Sequence, residues 1–543
     1  MIDEPAMLFF IQPNAAVPAA ADAAVLGSKA WGLLRLARLG VRVPPAFVLG
    51  TEVCREYFAR GGMLPPAVRG LLETGLARLA EATGRQFGDR RRPLLVAVRS
   101  GAPVSMPGMM ETILNIGLTE HTLHGFLRST GNPRLVRDCY RRLVRDFTVV
   151  VHGTAPAAFE ALVERKCAEV GVASARELDS VSLTELCAQS LDTALAVAGA
   201  PFPQAPLDQL EQAVDAVFRS WDSEKAQRYR RLNGIEDSIG TAVTVQAMVF
   251  GNSGCTSGAG VGFTRDPATG ENSLYLDFLL NAQGEDVVSG RHSVQDTGHL
   301  ARRLPLVAQE LERLKPVLEQ EFRDVQDFEF TVEDGKLFFL QTRTAKRTPW
   351  AALLTAVDMV REGQMTPAEA LTQLRTYDLE RIERTRLDQQ GPAEPLATAI
   401  SASIGVAAGV LAFESSRAAE LAAEGQHVIL ARSQIATTDI EGIASADGVL
   451  TAAGGRTSHA AVVARQLGKV CLVGCSELAL DASGRGCNLA GRYLTEGAPI
   501  TLDGDTGRVY QGNLAVVHER PDEELAEIRS WQELQLRARS GAP

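Results

Sequence analysis

The segment GGRTSHAAVVARQLGK sets one histidine, His459, four residues after a glycine pair and at the head of an apolar run with helical spacing. Gly454 and Gly455 permit a sharp turn after the strand-like GVLTAA. Thr457 or Ser458 can cap the helix, which puts His459 in its first turn. Unpaired amide N–H groups and the positive end of the helix dipole lie there. Such a setting disfavours protonation of the imidazole, so a nucleophilic nitrogen stays available near neutral pH. It also offers donors to any phosphoryl group that the ring accepts.

A second chemical signature is QDFEFTV followed by KLFFLQTR, with Asp334-Gly335 between them. Asp327 and Glu329 are two apart and share one face of a strand, as do Gln341 and Arg343 on the next. Register decides whether the two pairs meet. A two-residue turn at Asp334-Gly335 would set them on opposite faces. A three-residue loop, Asp334-Gly335-Lys336, would align them and gather Phe328, Phe330, Val332, Phe338 and Leu340 on an apolar side, and that register is the one expected. Two carboxylates beside Arg and Gln suit Mg²⁺ on a triphosphate, because Mg²⁺ takes hard oxygen ligands and Arg presents a fork of donors to phosphate.

The elements that must carry these groups are legible along the chain. Residues 20–118 alternate helical and strand patterns, with PLLVAVRS the clearest strand. From about 119 to 235 the text is helical, in runs such as RLVRDCYRRLVRDF and LDQLEQAVDAVFRSW. Strands return in TAVTVQAMVF and continue to LFFLQTR. Thr366-Pro367-Ala368-Glu369 spells a capping box with Pro in the first helical position. DQQGPAEP then breaks the periodicity, and a compact α/β stretch follows to about 512 before a polar C-terminal helix. The glycine-rich GNSGCTSGAGVGFTRDP is readable either as a phosphate loop or as hairpin turns.

With 543 residues the chain needs several cores. Its 45% hydrophobic and 22% charged residues describe an ordinary globular protein, and a net charge of −11 gives no nucleic-acid surface. Eight cysteines contain no CxxC pair; Cys471 and Cys475 sit in apolar text and read as buried thiols rather than metal ligands. Reduced thiols and an N-terminus (MIDEPAMLFFIQP) that is neither secretory signal nor membrane span suggest the cytoplasm and no membrane partner.

GGRTSHAAVVAR resembles the phosphohistidine motif of the pyruvate, phosphate dikinase family. So do VRSGAPVSMPGMMETILNIGL, GTAVTVQAMVFGN, GVGFTRDPATGE, NAQGEDVVSG and DFEFTV, over nearly the whole chain. The resemblance implies an α/β and α+β multidomain protein. An ATP-grasp-like nucleotide-binding domain would fill 1–345, with the helical insertion at 119–235, holding the nucleotide between two lobes. A helical linker (346–395), a compact α/β swivelling phosphohistidine domain (396–512) and a helical tail (513–543) would follow. It implies catalysis by His459, Mg²⁺ at Asp327 and Glu329, and nucleotide contact at Lys29, Arg99, Gln341 and Arg343. Gln246, Met248, Gln283 and Glu285 are expected to line the same cleft, and Ser100 to Met110 to cover the phosphates. ATP, phosphate, AMP and pyrophosphate are the implied ligands, and a homodimer is allowed.

Several positions depart from the family pattern. Ser28 replaces a glycine, Ala259 a threonine, and Gln434 an acid. Thr457 matches a threonine that plant relatives phosphorylate, although a cap or turn role accounts for it here. The family's C-terminal phosphoenolpyruvate/pyruvate barrel is not spelled by these residues. The expectation is therefore an ATP-dependent dikinase reaction on His459, with pyruvate or another acceptor supplied in trans, for instance by a separate barrel protein. Two other readings compete: a self-contained small-molecule phosphotransferase of the rifampin-phosphotransferase style, and a non-catalytic nucleotide-sensing subunit.

Overall fold

The computed structural model describes residues 7–13, 18, 21–104, 106, 110–288, 297–388, 394–435, 439–456, 458–481 and 484–540. Thr457, Ser105 and residues 107–109 of the expected phosphate cover lie outside the described residues, and for His459 the description covers the backbone. The chain divides into two compact units. One comprises 1–253 with 338–343, the other 254–337 with 344–543.

The first unit is built on a five-stranded antiparallel sheet in the order Leu8–Ile11, Ala46–Leu49, Ala242–Ala247, Val96–Gly101, Thr112–Ile116. Strict alternation sends Phe47, Leu49, Val96, Val98, Val243 and Val245 into one core. Helices of the 119–235 region cover that face. Pro133–His152 buries Leu135, Val136, Tyr140, Leu143, Val144 and Phe147, and Pro206–Trp221 buries Leu210, Val214, Val217 and Phe218. Each begins with Pro, and Asn132 caps the first by accepting from Leu135 N at 3.0 Å.

The second unit contains three antiparallel strands in the order Gln326–Glu333, Gly258–Phe263, Tyr275–Leu280. Every second residue of the middle strand is glycine for a packing reason. A Cβ on Gly258 would collide with the Phe278 ring, on Gly260 with Phe330, and on Gly262 with Phe328. Phe278 and Phe330 stack at 5.8 Å over that face. These glycines therefore make room for aromatic rings and do not form a phosphate loop. Ala259 is fully buried, opposite Thr331 and Leu279.

The remainder of this unit holds an eight-stranded sheet, with Val406–Ala412, Val428–Arg432, Gly448–Thr451 and Val470–Val473 adjacent and parallel where they pair. Cys471 and Cys475 are buried within its cores, and burial pushes the Cys471 thiol up to about 12. Segment 346–395 is not only helical. After Pro349–Arg361 and Pro367–Leu374 it forms the strand Arg384–Leu387, which pairs antiparallel with Val516–Glu519. The C-terminal stretch thus starts as a strand before the helix Asp522–Ser540. That helix packs Leu525, Ile528 and Trp531 with Trp350, Leu353, Val357 and Met359. Among the described residues no helix is long and apolar enough to cross a membrane.

Candidate active site

Ser458 is the N-cap of the helix His459–Gln466, and its side chain accepts from Ala461 N at 3.4 Å. His459 is therefore the first helical residue, where backbone donors lack intrahelical acceptors. The turn before it closes through Ser458 N donating to Gly455 O at 3.0 Å. Gly454 has φ 117°, a conformation that a side chain rarely adopts. Ala460, Ala461, Val463 and Ala464 anchor the helix in the core beneath the parallel strands.

In the first unit, the helix Ala23–Arg38 breaks its dihedrals at Gly27, with φ 74° and ψ 154°. A Cβ there would collide with the carbonyl of Gly101. Ser28, where a relative would carry glycine, donates from Oγ to Ala102 O at 3.0 Å and from its backbone N to the same atom. Lys29 thus starts a fresh helical turn against the end of the strand that carries Arg99. Arg99 donates from Nη1 to Gln246 Oε1 at 3.2 Å and to Leu340 O at 2.7 Å. Gln246, 2% exposed, donates in turn to Pro44 O at 3.3 Å. Gly32 packs on Thr342, and Phe339 N donates to Arg42 O at 2.9 Å. Lys29, Arg99, Gln246, Gln341 and Arg343 consequently sit on elements in direct contact. Met248 is tied by its backbone N to Leu95 O at 2.9 Å, and its side chain packs on the sheet core.

In the second unit, Asp327 lies opposite Phe263 and Glu329 opposite Val261. Val261 is in turn opposite Asp277, a carboxylate only 2% exposed. Directly opposed residues share a face, so Asp327, Glu329 and Asp277 project to the same side. The short helix Gly284–Val288 covers that side, Val287 packing with Ala259, Val261 and Leu279. Gln283 and Glu285 are thereby brought to the face that bears the acidic pair. Gln283 is held by its backbone N donating to Asp286 Oδ2 at 3.0 Å. Asp277 was not among the sequence candidates, although a lone acid inside the apolar LYLDFLL was the available signal.

The three-residue loop expected between the two signature strands is not what forms. Glu333 ends one strand and Lys336 begins the next, with Asp334 (φ 49°) and Gly335 (φ 74°) as a two-residue turn. Positive φ at both positions is the type I′ hairpin turn, which Asp-Gly favours because its twist matches that of the strands. A turn of this length withdraws the alignment of the two pairs that the longer loop would have given. Phe328, Phe330, Val332, Leu337 and Phe339 are each 1% exposed or less, whereas Phe338 and Leu340, expected on the apolar side, are half-buried.

The acidic pair suits a divalent ion by its donor set. Asp327 is 4% exposed and Glu329 half-buried, and Mg²⁺ is held by one or two carboxylates with the rest from water and phosphate oxygens. Among the described residues no group of three or more His, Cys, Asp or Glu forms a complete protein cage.

Residues 64–309 match the family model described as pyruvate phosphate dikinase, AMP/ATP-binding domain, and residues 424–507 match PEP-utilising enzyme, mobile domain. The chain is 41% identical over 527 residues to pyruvate, phosphate dikinase of Clostridium symbiosum, covering 96% of this chain and 60% of that protein. It is 39% identical over 524 residues to the dikinase of Rhizobium meliloti (strain 1021), covering 94% and 58%. With the chloroplastic pyruvate, phosphate dikinase 1 of Arabidopsis thaliana the identity is 40%, covering 93% and 53%. The chain thus spans 53% to 60% of these three relatives. The region of the first match is ATP-grasp-like, in a multidomain α/β chain.

Proposed function

The chain belongs to the pyruvate, phosphate dikinase family by its two matched domains, and on that premise we propose that His459 is a covalent phosphoryl carrier loaded from ATP. Its imidazole nitrogen bonds to the β-phosphorus, the bond from the α-phosphate bridge breaks, and AMP leaves. An oxygen of inorganic phosphate then attacks the terminal phosphorus of the pyrophosphorylated ring. Pyrophosphate departs and phosphohistidine remains. Splitting the transfer at a histidine replaces one difficult displacement by two easier ones.

Lys29, Arg99, Gln341 and Arg343 bind the phosphates, and Gln246, Met248, Gln283 and Glu285 line the nucleotide. Asp327 and Glu329 hold Mg²⁺, which supplies neutralisation of the triphosphate charge. Catalysis in such transfers is mostly positioning and charge stabilisation, which cations and amides supply at the phosphates and a carboxylate pair supplies through its metal. The phosphoryl group then passes to pyruvate or another acceptor presented in trans, after the His459 domain swivels.

What supports this reading above all is the Ser458-capped helix that opens at His459, inside the stretch matching a mobile domain. Incubation with β-labelled ATP, Mg²⁺ and phosphate should give acid-labile, base-stable protein label that His459→Ala abolishes. Without phosphate the label should stay as a pyrophosphoryl group. Label that persists in His459→Ala refutes the carrier, and a protein that takes label from γ-labelled but not from β-labelled ATP is a simple kinase.

A further inference from the structure

Inside the second unit, the segment around His459 rests on the two strands that pair in turn with the strand of the acidic pair. Tyr275, Phe263 and Asp327 are directly opposite one another across three strands, so their side chains share a face. On that face the Arg465 guanidinium lies 5.4 Å from the Phe263 ring centroid and the Arg456 guanidinium 4.8 Å from that of Tyr275. The Tyr275 hydroxyl donates to Ser401 O at 3.2 Å. Arg465 also ties the loop down, donating from Nη1 to Arg456 O at 2.8 Å and to Ala402 O at 3.0 Å. Both arginines lie within GGRTSHAAVVAR, yet neither touches the nucleotide chemistry assigned above.

The contacts are of an unusual kind. Arg465 is fully buried, and its Nε and Nη2 have no hydrogen-bond partner; Arg456 Nε has none either. Among the described residues neither guanidinium forms an ion pair. A buried cation without a carboxylate retains part of its desolvation cost, and ring faces recover only a portion. A carboxylate here would fasten the loop to the strands, since breaking a buried ion pair is strongly unfavourable. Ring contacts hold orientation while leaving the surface easy to vacate, which is what a carrier that must depart requires.

We propose that Arg456 and Arg465 are positioning residues that seat the His459 loop on the Tyr275–Phe263 face for phosphorylation, through cation–ring contacts weak enough to be released. This rests on the reading of His459 as a carrier. Single-turnover labelling from β-labelled ATP with Mg²⁺ and phosphate tests it in Tyr275→Leu, Tyr275→Phe and Arg456→Gln, with ATP affinity measured separately by equilibrium dialysis. Loss of one ring contact should slow labelling about three- to tenfold in Tyr275→Leu and Arg456→Gln, at unchanged ATP affinity. Tyr275→Phe, which keeps the ring, should label at the wild-type rate.

Wild-type rates in Tyr275→Leu and Arg456→Gln overturn the proposal. So does an equal fall in affinity and rate, which signals a structural role, or a Tyr275→Phe rate as low as that of Leu, which assigns the effect to the hydroxyl. If Tyr275→Leu does not fold, Arg456→Gln decides alone, being a half-buried loop substitution. An unlabelled wild type refutes the carrier itself, a failure distinct from that of the seat.

Discussion

Asp138 shows what a single buried charge contributes in this chain. Its carboxylate accepts from Arg141 Nη2 at 2.7 Å and from Arg142 Nε at 2.9 Å, all three side chains being buried in the helical insertion. Burial by itself would raise the carboxyl, but the charges of Arg142 and Arg141 outweigh it and hold it well below the usual range. A depressed folded pKa means that the unfolded chain binds the proton more readily. The stabilisation is therefore complete above an ordinary carboxylate pKa of about 4 and falls away as pH drops through the folded value. Asp138→Asn should lower the urea midpoint at pH 7, and the gap from wild type should narrow below about pH 4 as the wild-type advantage titrates away. A gap that stays constant from pH 7 to pH 3 would assign the effect to packing instead.

At the scale of elements, close backbone contacts decide where the candidate phosphate-binding cations stand. Gly27 lets the helix bearing Lys29 run against Gly101 at the end of the Arg99 strand. Gly27→Ala brings both a disfavoured φ and a collision with backbone, which cannot move aside as a flexible side chain could. We expect ATP affinity to fall at least about tenfold and the thermal midpoint to drop by several degrees, read by dialysis and calorimetry. An unaltered affinity would remove Lys29 from the nucleotide site. Local elements themselves were largely legible. The capping box at Thr366 and Glu369 forms as spelled, with Glu369 N donating to Thr366 Oγ1 at 3.3 Å and Thr366 N to Glu369 Oε2 at 2.7 Å. The hairpin register was not legible, because Leu337-Phe338-Phe339-Leu340 offers an apolar residue to either face and alternation cannot choose. Only the Asp-Gly pair carried the answer.

Across the whole chain, residues far apart in sequence complete one another. The strand Arg384–Leu387 and the strand Val516–Glu519 bracket the stretch that matches the mobile-domain model and pair, with Arg384 Nε donating to Glu519 Oε2 at 2.9 Å. Trp531 and Ile528 seal the core of the helices after residue 346. Trp531→Ala should cost about 3 kcal/mol or more in urea unfolding, by loss of burial and creation of a cavity. A cost below about 1 kcal/mol would mean that the C-terminal helix is not integral to that core.

The sequence by itself determined what is decided within a few neighbouring residues: His459 in the first turn of a capped helix, two acids on one strand face, and the helical insertion. Caps, periodicity and dihedral preference act over that range. Only the tertiary structure decided the rings that require glycine at 258, 260 and 262, the pairing of the linker strand with the C-terminal strand, and the arginines lying on Tyr275 and Phe263. Those depend on contacts between distant segments, whose free energy arises from packing complementarity that no local window of sequence contains.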